Sequence, residues 1–155
     1  MALTLEDAVK TKARCRDFTR NPGIALQLKA FWKYQSEHGS AKQFQMTAFG
    51  DLGADAVAAD VACKLYLIYL KKQNTATDAF VNIFNDATND ATAGDAFISI
   101  GLTVGNDEVL LVYPNGLALS AGAVYGSYTA LIGANGSTPS TSGDGPNGFL
   151  IVGAA

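Results

Sequence analysis

Two kinds of hydrophobic spacing follow one another along the chain. In residues 4–20 the apolar positions Leu5, Ala8, Val9, Ala13 and Phe18 form an imperfect helical stripe. Thr4 opens it with Asp7 at the third helical position, close to a capping box. Asn21-Pro22-Gly23 breaks it. The next run fits two templates: Ile24, Leu26 and Leu28 alternate as in a strand, whereas Ile24, Leu28, Phe31 and Trp32 share a helical face. Both stay open at this point. Residues 41–60, rich in Ala, Gly and Asp, read as a connector with one short strand around Gln43 to Ala48.

From Val61 the pattern is that of strands. Val61 to Lys71 is apolar on both parities, as expected of a central strand buried on two sides. Gln73 to Asp78 predicts a turn, Phe80 to Phe84 a strand and Asn85 to Asp95 a polar loop. Phe97 to Val104 alternates, with Ile98, Ile100, Leu102 and Val104 on one face. Gly105-Asn106-Asp107 reverses the chain into Val109 to Tyr113, and Pro114-Asn115-Gly116 reads as a further turn. Leu117 to Leu119, Val124 to Ile132 and Phe149 to Val152 complete the strands, and 133–148 is a long loop, a candidate for binding. The expectation is a mainly β protein, an antiparallel β-sandwich or jelly-roll-like domain with an N-terminal, partly helical arm. Its divisions are a basic arm at 1–45, a connector at 46–60 and the sandwich at 61–155.

Charge follows the same division. Residues 1–45 carry eight Lys and Arg against four Asp and Glu, whereas 46–155 carry three against ten, and no Lys or Arg follows Lys72. The basic head is either a solvated helix face or an arm that docks on an acidic surface, including that of a neighbouring copy. Arg14, Arg16 and Arg20, with the aromatic group Phe31, Trp32 and Tyr34, are the interface candidates. The alternative for the aromatics is that they pack the arm onto the sandwich. Nucleic acid is disfavoured, since the acidic body would repel phosphate. A β-domain of this size can fold alone, so deleting residues 1–40 is expected to spare folding and weaken assembly.

Among the 155 residues only 16% are charged and 48% are hydrophobic, which fits a β protein with part of its surface covered by partners. Cys15 and Cys63 lie far apart without a metal-binding or redox spacing, so reduced thiols are expected. The charged N-terminus lacks the apolar run of a signal peptide, and no stretch reaches the ~20 apolar residues of a membrane helix. Cytoplasmic synthesis without signal-directed secretion is therefore the expectation.

Sites for chemistry are sparse. Gly143, Gly145 and Gly148 spell a dinucleotide fingerprint, but a β-like segment follows where the fingerprint needs a helix. His38 is the single histidine and has no nucleophile or acid arranged with it. Asp86, Asp90 and Asp95 share a loop rich in oxygen ligands, but not at an EF-hand spacing. No catalytic residue, cofactor or metal site is expected.

The segments YLKKQNTATDAFVNIFNDAT and FISIGLTVGNDEVLLVYPNGLALSAG, within Leu65 to Leu131, resemble a β-sandwich segment of structural proteins from tailed-phage particles. The signature runs from Tyr113-Pro114-Asn115-Gly116-Leu117 to Ala118-Leu119-Ser120-Ala121-Gly122. It covers less than half the chain. The resemblance implies a virion component without catalytic residues: a capsid decoration, or cement, protein that binds the outer shell, or a tail or fibre accessory protein. Its partners would be the major capsid protein, other virion proteins and further copies of itself. A rival reading of another class is a carbohydrate-binding module that uses exposed Tyr125 and Tyr128.

Overall fold

A computed structural model describes residues 2–3, 22–38, 44–53, 56–88, 96–129 and 138–155. The protein is mainly β, with two antiparallel sheets and one described helix. The elements are β1 (Ala2–Leu3), α1 (Pro22–His38), β2 (Phe44–Phe49), β3 (Ala56–Ala59), β4 (Cys63–Lys71) and β5 (Ala79–Phe84). They continue with β6 (Ala96–Leu102), β7 (Glu108–Leu119), β8 (Ala123–Tyr128) and β9 (Asn147–Ala154). One sheet has the order β1-β2-β9-β4-β7, the other β3-β8-β5-β6. The expected first helical stripe, at 4–20, lies outside the described residues, as do Asp90 and Asp95.

The ambiguous run at 24–34 is helical. Ile24, Leu28, Phe31 and Gln35 are buried along one side of α1, whereas Leu26, the middle member of the strand template, is 68% exposed. Pro22 suits the first helical turn, where its missing N–H has no intrahelical partner to lose. The strand expected around Gln43 to Ala48 is β2, and it pairs along its length with β9, from Phe44↔Gly153 to Phe49↔Gly148. The stretch read as a connector thus carries most of β2 and all of β3.

β4 explains the division of the core. It lies between β7 and β9 and is apolar on both parities, as its sequence demanded. Tyr66 is an extra residue relative to β9: Leu65 pairs with Val152 and Leu67 with Ile151, the next residue along. Such a bulge inverts the phase of the side chains that follow. Cys63, Leu65, Ile68 and Leu70 consequently join one cluster with Val81, Ile83, Ile100, Leu102, Tyr125, Leu150 and Val152, which draws on both sheets. Tyr66, Leu67 and Tyr69 join Ile24, Leu28 and Phe31 of α1 in a second cluster with Phe149 and Ile151. The helix is therefore a layer over the outer face of the five-stranded sheet.

Pro114-Asn115-Gly116 does not reverse the chain. β7 is continuous through it, and the expected turn is a bulge. Leu65 pairs with Leu117 and Leu67 with Val112, so Tyr66 alone opposes Tyr113, Pro114, Asn115 and Gly116. The expected turn, with a separate strand at Leu117 to Leu119, is thus corrected to one strand, Glu108–Leu119, with an irregularity in its pairing. Flanking residues that both pair with β4 keep the strand on course.

Candidate interface

The interface candidates separate into three groups. Arg14, Arg16 and Arg20 lie outside the described residues, and so does the side chain of Trp32, although its backbone belongs to α1. Phe31 is buried in the cluster beneath α1 and packs the helix onto the sheet. Tyr34 is half-buried one turn further on, and its hydroxyl donates to Asn115 Oδ1 at 3.1 Å. Lys29 and Lys33 are exposed on the same helix, so α1 joins an apolar inner side to a basic outer one.

Residues that the sequence did not single out hold α1 against β7. Gln35 is 1% exposed, and its Nε2 donates to the Pro114 carbonyl at 2.9 Å. That carbonyl stands in the bulge, among residues without a β4 partner, where a side-chain donor takes the place of a ladder bond. Gly116 allows the bulge to close: its φ is +78°, and a Cβ there would stand 2.8 Å from Lys64 Cβ. Between helix and strand runs an apolar groove of about 350 Å³ lined by Gln27, Ala30, Phe31, Tyr34, Val112 and Pro114. The signal available in the sequence was the Pro-Asn-Gly run itself, which marks a bulge as well as a turn.

The described part of the long loop, 138–146, is tethered. Asp51 stands at its centre with a φ of +49°. Its carboxylate accepts from Gly143 N at 2.9 Å, Gly145 N at 3.2 Å, Gln73 Nε2 at 2.8 Å and Ser142 Oγ at 3.3 Å. These donors, the Gly143 amide first, hold the Asp51 carboxyl below its ordinary value. Asp144 accepts from Thr141 Oγ1 at 2.7 Å and Asn74 Nδ2 at 2.7 Å, which lowers its carboxyl likewise. Leu52 N donates to Pro146 O and Ser140 N to Ser127 O. The glycines of the apparent dinucleotide fingerprint serve this turn: Gly143 donates to Asp51, and a Cβ on Gly145 would stand 2.2 Å from Leu52 O. The strand β9 follows them.

Several other positions are structural. Tyr125 and Tyr128 are 6% and 5% exposed, which corrects the expectation that they face solvent. Tyr125 packs in the core beside Phe49, and Tyr128 meets Phe84 edge to face with centroids 6.3 Å apart. Cys63 is a free thiol in the same core, and burial pushes its pKa up. Lys72 is 4% exposed and donates to Thr75 O at 3.3 Å, with Asp78 Oδ1 at 4.0 Å. The last basic residue of the chain thus spends its charge internally. Asp86 accepts from Ala87 N and Thr88 N and so shapes its own turn. No helix among the described residues is long and apolar enough to cross a membrane. Comparison with protein-family models, with curated proteins and with solved structures finds no match.

Proposed function

We propose that the two sheets form a jelly roll and that the chain is a structural protein of a phage particle, a decoration protein that binds the outer shell and adds contacts between shell subunits. The observation that carries this reading is the pairing order. β2 pairs with β9, β9 with β4 and β4 with β7; β3 pairs with β8, β8 with β5 and β5 with β6. That interleaving of early and late strands supports the jelly-roll reading, an architecture used in viral capsid and lectin domains. The phage-like Tyr113 to Gly122 segment falls on β7 and the approach to β8, beside α1. Exposed Lys29 and Lys33, together with the basic residues at 10–20, offer charge to an acidic surface. Binding of this kind works through area and complementarity rather than chemistry. A tail or fibre role would use the same features. The carbohydrate-binding reading loses its support, because Tyr125 and Tyr128 are buried.

Mass spectrometry of purified particles from the source tests the proposal. The chain is expected at a copy number comparable with that of the main shell subunit. Its absence from the particles would overturn the reading, and a copy number of a few per particle would move it to a tail or fibre. On particles, attachment through the head should weaken with added salt and on changing Arg14, Arg16 and Arg20 to Glu.

A further inference from the structure

We propose that two copies of this chain associate by antiparallel pairing of their β7 strands, which joins two five-stranded sheets into one. Among the described residues β7 pairs with β4 alone, so its other side is a sheet edge. Alternate backbone N–H and C=O groups of an edge strand point away from its neighbour and are a template for another strand. Among the described residues the four sheet edges differ in how far they are open. β1 covers part of β2 through Ala2↔Gln45 and Leu3↔Phe44. β3 has four residues, β6 seven and β7 twelve.

The half of β7 before its bulge, Glu108 to Tyr113, carries few of the sequence devices that keep edges apart. It holds no Lys, no Pro and no bulge, and its one charge, Glu108, stands at the end and accepts from the Tyr69 hydroxyl at 2.5 Å. That pattern is self-complementary. A two-fold axis through Leu111 sets Leu110 of each copy opposite Val112 of the other, and it keeps the two Glu108 residues at opposite ends. Leu110 and Val112 are half-buried beside the cluster beneath α1, and Val112 also lines the groove. Pairing would continue that apolar strip across the axis, with an α1 on each side. Pro114 stops the pairing at the bulge. A second copy is favoured over an unrelated strand because the segment satisfies its own pattern of charge and apolar positions under a two-fold. The pairing concerns the free protein and stands whether or not the chain is part of a particle.

The contact is small by the standard of stable dimers, which bury about 1,200 Å² or more. The dimer should therefore depend on concentration. Sedimentation of the full chain from about 1 to 300 µM should show a mass rising from 16.2 kDa toward twice that value. Hydrogen exchange of the wild-type chain across the same range should show alternate amides of 109–113 gaining protection about tenfold or more as the mass rises. Leu110→Lys places two ammonium groups beside the axis and should abolish both changes, with Leu110→Met as the control that retains them. A single-chain mass at every concentration would overturn the proposal. So would association that leaves the exchange of 109–113 unchanged, or growth beyond two chains. Should Leu110→Lys fail to fold, the wild-type dilution series decides alone.

Discussion

Both faces of β4 are buried along the middle of the strand but are covered in different ways. On one face Leu65, Ile68 and Leu70 meet side chains from strands of both sheets. On the other, Tyr66, Leu67 and Tyr69 meet Ile24, Leu28 and Phe31 of a helix that lies some 40 residues earlier in the chain. A strand apolar on both parities needs two covers, and the second comes from the basic head. The head therefore has a task in the body's core, whatever it binds outside. The lesson concerns charge as a guide to domains. A change in charge marks where solvent-facing residues change, and it does not mark where packing ends.

The largest test of the comparison is removal of the helix. Deleting residues 1–40 uncovers Tyr66, Leu67, Tyr69, Phe149 and Ile151 on one face. The expected outcome is a chain that aggregates or binds hydrophobic dyes and lacks a cooperative thermal transition by circular dichroism. A truncated chain that melts cooperatively near the parent temperature would make the helix a passive cover.

Single truncations sharpen the point. Ile68→Ala and Leu28→Ala each remove a fully buried side chain, one per face. Each should cost about 2–5 kcal/mol in denaturant unfolding, with the two values comparable if both faces are true core. A cost under about 1 kcal/mol at Leu28 alone would show that α1 packs loosely.

The bulge that receives α1 gives a smaller effect. Gly116→Ala introduces a Cβ at positive φ against Lys64 Cβ, at 2.8 Å, and Tyr66 Cζ, at 3.0 Å. A loss of about 1–3 kcal/mol is expected. The same substitution at Gly105, where φ is +86° but nothing lies within 4 Å, separates backbone strain from crowding and should cost less.

The smallest effect lies away from both faces. The Asp51 carboxyl is held below its ordinary value, so its tether is fully present above that value and is lost as pH falls through the lowered one. Amides of 142–145 should exchange faster as pH drops from about 5 to about 2, after correction for the intrinsic rate. Asp51→Asn should flatten that dependence and leave the melting of the sheets nearly unchanged.

The strand pattern from Cys63 onward was legible because each segment states its surroundings locally. Ile100 and Leu102 alternate with half-buried or exposed neighbours, the doubly apolar β4 lies centrally, and the turns at 73–78 and 105–107 join the strands expected on either side. Side-chain period is a property of a few consecutive residues, so it survives without knowledge of the fold. Three outcomes needed distant partners. The 24–34 run became a helix with its stripe at Ile24, Leu28 and Phe31 because a flat apolar face awaited that stripe; in isolation both templates fitted. Pro114-Asn115-Gly116 became a bulge because Val112 and Leu117 both pair with β4, and a strand held on either side of a kink cannot reverse. Asp51 became the anchor of residues 142–145, more than 90 positions away, because the return of β9 beside β2 brings the two loops together. Spacing along the chain determined most of the strands from β4 onward. Contact across it decided which kinks became turns, which run became a helix and which carboxylate organised a loop, since each of those choices is made by the energy of a partner that the local sequence does not contain.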